Sequence, residues 1–168
     1  MNIFEIEINR TLKSMNDDAH FFSWRLFDTN AFRGQVPYAP KQPGDWMAVS
    51  DGRATLIEAK SSIKEPSFST DNIRPHQWKA LLDFEQAGGN SYFLLNRRST
   101  PRHYQCFAVK PQQLQQIINS VGKKSIRWKL IEEETLEIKR TDIIIDKIKK
   151  QKAKGWLLKE LPSFSYPY

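Results

Sequence analysis

Two carboxylates and a lysine are the residues of this chain best placed to do chemistry: Asp45, preceded by Gly44, and then Glu58 and Lys60 on either side of Ala59. Between them the sequence reads as a hairpin, with strands over Trp46 to Val49 and Ala54 to Ile57 and a turn at Ser50-Asp51-Gly52-Arg53. Antiparallel neighbours lie about 5 Å apart, so the hairpin would bring Asp45 and Glu58 within reach of one cation. Glu58 and Lys60 are two apart on a strand and share a face, while Ala59 points to the other. An acid pair beside a lysine is the equipment of a metal-dependent nuclease.

Other elements must hold that hairpin. Phe4, Ile8, Leu12 and Met15 form a helical stripe, which predicts a helix over Ile3 to Met15 broken by Asn16-Asp17-Asp18. The aromatic run from His20 to Asp28 reads as a strand. Arg33 to Pro43 carries three prolines and reads as a loop or arm. Ser61 to Asn72 is polar and turn-rich, Pro75 opens a helix that runs to Gly88-Gly89, and Tyr92 to Leu95 and His103 to Val109 read as strands. Gln112 to Ser120 is expected to be a short helix ending near Gly122. A hairpin is expected over Ile126 to Ile131 and Thr135 to Lys139, followed by a basic helix from Asp142 to Lys154 and a loosely held tail from Pro162 to Tyr168. The sum is α/β with a mixed central sheet, in one domain over 1–161.

Composition narrows the partners. The chain has 26 Lys+Arg against 19 Asp+Glu, a net charge of +7, which steers it toward polyanions. One cysteine, Cys106, excludes an internal disulfide and a Cys-rich zinc site, and so suits a reducing compartment. No apolar run has the roughly 18 to 20 residues of a membrane span. Met1 to Arg10 lacks the basic start and apolar centre of a signal peptide. The expected location is cytoplasmic.

Asp45 and Glu58-Ala59-Lys60 resemble the PD-(D/E)xK nuclease motif, with Gly44 where that motif has proline. Ser67-Phe68, Asn72 and His76-Gln77 then follow at the spacing of RecU-type Holliday junction resolvases, and Phe4-Glu5-Ile6-Glu7-Ile8-Asn9 is similar to their opening. Gly89 before a strand and Lys124-Ser125-Ile126 extend the likeness. Two features differ. Pro43-Gly44 stands where those resolvases have a threonine pair, and the stretch from the first helix to Asp45, their projecting stalk, is shorter here.

The resemblance implies a restriction-endonuclease-like core and a homodimer that makes symmetric nicks in a four-way DNA junction or other branched DNA, in recombination and repair. It implies Mg2+, with Mn2+ as a substitute, held by Asp45, Glu58 and the Ala59 carbonyl. Lys60 would serve the attacking water or the transition state, as base or as electrostatic stabiliser. Glu5 matches the helix carboxylate of the family. If this segment is helical, Glu5 lies roughly 65° and Glu7 roughly 95° from the centre of the apolar stripe at about 100° per residue. Gln77 would orient Lys60 or the scissile phosphate. Arg33, Lys41, Lys64 and Arg74 are the expected DNA contacts. His76 reads as a helix-start or packing residue, and the five tryptophans as core or interface aromatics. Two other readings remain: another PD-(D/E)xK nuclease of restriction or repair, and a basic DNA-binding accessory module without activity.

Overall fold

The computed structural model describes residues 2–26, 41–63, 66–100 and 103–164. Its first element, α1 (Ile3–Met15), begins where the Asn2 side chain accepts the Glu5 backbone N–H at 3.0 Å. The helix buries Phe4, Ile8 and Leu12. Asn16 ends it and then pins the next strand, accepting the Ser23 N–H at 2.7 Å and donating to the Ser23 carbonyl at 3.1 Å. That strand, β1 (Phe21–Arg25), buries Phe21 and Ser23 and exposes Phe22 and Trp24.

The expected hairpin is β2 (Trp46–Ser50) against β3 (Arg53–Ile63), in register from Trp46 opposite Ile57 to Ser50 opposite Arg53. Asp51 and Gly52 turn it with φ of 48° and 76°, the paired positive values of a type I′ loop. β3 continues six residues beyond the expected end at Ile57, because it pairs on its other side with β5 (Asn90–Thr100) from Thr55 to Ile63. Glu58-Ala59-Lys60 therefore stands inside a central strand and takes that strand's rigidity.

The six-stranded sheet runs β1-β2-β3-β5-β6-β8, with β6 at His103–Val109 and β8 at Leu136–Ile138. Only β3 and β5 are parallel, and α2 (Pro75–Gln86) lies between them in the chain. Phe4, Ile8, Trp46, Ile57, Ala59 and Leu94 belong to the core on the α1 side. Leu56, Leu81, Phe93, Phe107 and Leu114 form the core under α2 and α3 (Pro111–Val121). Alternation along β3 thus sends Ala59 into the first core and Glu58 and Lys60 toward α2.

Several expectations are corrected. Part of the turn-rich stretch is ordered: after β3, Ser67–Ser69 forms β4 and Thr70–Asn72 a 3-10 turn, and β4 pairs with β7 (Ser125–Arg127). The hairpin expected around Glu132-Glu133-Glu134 is instead β7, helix α4 (Trp128–Glu134) and β8. The segment is rich in the helix formers Lys, Leu and Glu, and Trp128 and Ile131, three apart, are buried together. Asp142 to Lys154 is no helix but the hairpin β9 (Arg140–Asp146) and β10 (Gln151–Trp156). The β-branched run Ile143-Ile144-Ile145 favours strand, and the half-buried face of β9 meets α1. The tail is held further than expected, since Phe164 is buried with its ring edge-on to Phe21 at 5.1 Å.

Gly44 marks a close approach. A Cβ there would stand 2.9 Å from the Ile57 carbonyl oxygen and 3.0 Å from Leu56 Cδ1. Gly44→Ala is expected to lower stability by about 1–3 kcal/mol, and to displace Asp45 with it. A denaturant titration of the variant checks this.

Candidate active site

Asp45 enters the sheet tied on both sides. Its N–H donates to the Ile57 carbonyl at 2.8 Å, and its carbonyl accepts the Leu26 N–H at 2.9 Å. Its side chain reaches across to β3, where Oδ2 accepts the Ala59 N–H at 2.8 Å. That contact puts the carboxylate beside Glu58 and leaves Oδ1 without a hydrogen-bond partner among the described residues.

Glu58 is 2% exposed, which is a costly place for a charge unless it is met. Lys60 Nζ lies 2.6 Å from Glu58 Oε1. Gln77 completes the group: its Nε2 donates to Glu58 Oε1, and its Oε1 accepts from Lys60 Nζ at 3.0 Å. The same Oε1 accepts the Arg74 N–H at 3.1 Å, so Gln77 also caps the first turn of α2. Pro75 in that turn fixes where the helix starts, and hence where Gln77 stands.

The electrostatics follow from crowding. Burial lifts the Asp45 carboxyl above its ordinary pKa and the Glu5 charge lifts it further, against the Ala59 N–H, Lys60 and Arg25. Burial and then the Asp45 charge push Glu58 up to about 7, with Lys60 opposing. This is an acid pair short of positive charge. Among the described residues no group of three or more His, Cys, Asp or Glu side chains is arranged to hold a metal. Two carboxylates with an unsatisfied oxygen suit a hard divalent cation that keeps several of its waters rather than one that needs a full protein cage.

Two carboxylates of α1 separate by partner. Glu5 is tied to Asn2 Nδ2 at 2.8 Å and lies 3.5 Å from Arg25, and its charge bears on both Asp45 and Glu58. Glu7 is buried away from that group, bound by both Nε and Nη2 of Arg140. Arg25 went unsuspected in the sequence. It ends β1 opposite Trp46, lies over the Trp46 ring at 5.8 Å and draws the Asp45 carboxyl down. A strand beside the hairpin that ends in a cation was the available signal.

Lys41 and Arg74 are exposed near the opening of the site, where their charges, with that of Lys60, add to lost hydration in holding His76 below its ordinary pKa. His76 thus sits among cations and away from any carboxylate cluster. Arg33 and Lys64 lie outside the described residues, as does most of the proline-rich stretch. Replacing Gln77 by Met, close in volume but without the amide, should cut any metal-dependent nicking about 10- to 100-fold, as loss of an orienting neighbour typically does. Single-turnover rates at saturating DNA measure it.

A family model described as RecU, Recombination protein U, matches residues 34–152. No curated protein sequence is significantly similar to the chain. Among solved structures, the Holliday junction resolvase Hjc of Archaeoglobus fulgidus aligns with a TM-score of 0.48 at 19% identity, over 79% of this chain and 94% of that one.

Proposed function

We propose that this chain, which belongs to the RecU family of recombination proteins, is a DNA endonuclease that resolves Holliday junctions by hydrolysing phosphodiesters at Asp45, Glu58 and Lys60. The observation that carries this reading is the meeting of the three: Asp45 bonded across to the Ala59 N–H, and Lys60 Nζ 2.6 Å from Glu58. A divalent cation, Mg2+ with Mn2+ as a substitute, would be held by Asp45, Glu58 and the Ala59 carbonyl, and would neutralise the phosphate and acidify a water.

The chain's own residues do the rest. Asp45 and Glu58 bring two negative charges to a buried point where they repel, and so favour any positive charge that arrives. Lys60, held by two acceptors, acts as a hydrogen-bond donor toward the attacking water and the phosphate oxygens, where negative charge grows. Gln77 is a positioning residue that holds Lys60 and Glu58 in place through its amide. Glu5 takes a share of the same field, with Arg25 as its counter-charge. Lys41 and Arg74, with Arg33 and Lys64, receive the DNA backbone. Contacts to phosphates position a duplex without reading its bases, which suits recognition by shape.

Resolving a junction takes two nicks related by symmetry, so the working form is a homodimer with one site on each protomer. No helix among the described residues is long and apolar enough to cross a membrane. The setting is cytoplasmic, where Cys106, buried in the core, stays reduced. The test is cleavage in Mg2+ of a four-way junction beside linear duplex, flap and single strand. Paired nicks near the branch of the junction, with little cutting of the other substrates, are expected. Equal cutting of linear duplex would point to a nuclease of another kind.

A further inference from the structure

The β9–β10 hairpin carries charge and apolar surface that neither the core nor the site uses. Between Lys139 and Lys154 there are seven Lys or Arg against two Asp, which accounts for five of the seven net positive charges of the chain. Lys147 meets Asp17 at 3.0 Å and Lys154 meets Asp142 at 2.7 Å. Lys149, Lys150 and Lys152 form no salt bridge among the described residues, although the charge of Lys152 bears on Asp142. Beside them Ile148 is 94% exposed at the tip, and Ile144 and Ile145 are 51% and 40% exposed. Folding gains nothing from an isoleucine held in water among lysines.

The base of the hairpin is rigid and its tip is shaped. Arg140 clasps Glu7 and lies over the Tyr104 ring at 4.3 Å. Trp156 is buried edge-on to Phe4, and its backbone N–H donates to Thr11 Oγ1 at 3.0 Å. At Gly155 a Cβ would stand 2.5 Å from that same oxygen, so glycine lets the ribbon lie flat on α1. At the tip Asp146 Oδ1 accepts the N–H groups of Ile148 and Lys149 at 3.0 and 2.9 Å, and Lys150 turns at φ 52°. The ribbon runs along α1 from Glu7 to Asp17, which sets the tip about 15 Å along the helix from the Arg140–Glu7 clasp at 1.5 Å per residue.

A stiff two-stranded ribbon with basic flanks and an apolar point is the shape that enters a nucleic-acid groove, lysines on the phosphates and the apolar side chain at the base edges or between steps. We infer that the β9–β10 hairpin is a second DNA-gripping element, which holds a duplex arm of the substrate through Lys149, Lys150 and Lys152 and seats Ile148 in its groove. This rests on the nuclease reading, and it adds a surface remote from the metal site.

The experiment uses the full chain in Ca2+, with a fluorescent four-way junction whose arms are about 20 base pairs long, and measures affinity across a salt series. Replacing Lys149, Lys150 and Lys152 together by Ala should lower the slope of log affinity against log salt by about two to three, at about 0.9 per lost phosphate contact. The matching Arg variant should restore it. Ile148→Ser should keep the slope and weaken binding at least about threefold at fixed salt, as loss of a groove contact worth near 1 kcal/mol would. An unchanged slope in the Ala variant, or wild-type affinity in Ile148→Ser, overturns the assignment. So does loss of binding to phosphatidylserine vesicles with DNA binding intact, which would make the hairpin a lipid-facing element. If the wild-type protein nicks no branched DNA in Mg2+, the nuclease reading has failed, and that assay is separate from these titrations.

Discussion

Asp45→Asn and Glu58→Gln are each expected to lower metal-dependent nicking of a four-way junction by about a thousandfold, the scale seen when one transition-state contact is removed. Junction binding should survive in both. The geometry explains the separation. In the first variant the new amide keeps an oxygen for the Ala59 N–H, and in the second it keeps one for Lys60 and Gln77, so the strand and the clamp hold. Each variant loses one negative charge from the pair that would hold the cation. Neither touches Lys41 or Arg74, the proposed phosphate contacts, and contacts of that kind supply most of the affinity for DNA. Nicking near the wild-type rate in either variant would remove Asp45 and Glu58 from the chemistry.

The second large effect is on pH dependence. Glu58 has its pKa raised from 4.5 to about 7, and Asp45 is shifted the same way. The native state therefore holds a proton on Glu58 that the unfolded chain releases near pH 4.5. The stability linked to this proton is complete below about pH 4.5 and is lost as pH rises through 7. Without divalent cations the protein should melt at a lower temperature at pH 8 than at pH 6, through a stability loss of about 1 kcal/mol from this group, since only about one pH unit of that interval lies below its raised pKa at 1.36 kcal/mol per unit. Glu58→Gln should flatten that fall. Mg2+ should reverse it, raising the melting temperature more at pH 8 than at pH 6, because a cation that binds the ionised pair competes with its protons. Melting curves at two pH values, with and without Mg2+, give all four numbers. A Mg2+ shift that is the same at both would break the link between the pair and the cation.

Much of this was legible from local pattern. The hairpin announced itself in Asp51-Gly52 and alternating apolar residues, α1 in its stripe, and α2 in Pro75 and Gly88. What failed was where local propensity and charge pull apart. The charge of the stretch from Asp142 to Lys154 suggested a basic helix, yet Lys150, Lys152 and Lys154 alternate with Gln151, Ala153 and Gly155, the period of a strand. Glu132-Glu133-Glu134 looked like a turn and is the end of α4, because Trp128 and Ile131 needed one face. The length of β3 was hidden because pairing with β5 is a tertiary fact. Within the site, spacing pointed to Asp45, Glu58 and Lys60. It left Glu5 and Glu7 open, since only the fold puts Arg140 against Glu7 and leaves Glu5 beside Arg25.

Cation binding itself tests the account most directly. Free Mn2+ measured by paramagnetic resonance should fall on titration with the wild-type protein at pH 8, with saturable binding that weakens at pH 6 and is competed by Mg2+. Asp45→Asn, folded as judged by its melting curve, should lose that binding. Mn2+ bound as tightly by Asp45→Asn as by the wild type would contradict the central claim, because the cation would then be held elsewhere than at Asp45 and Glu58.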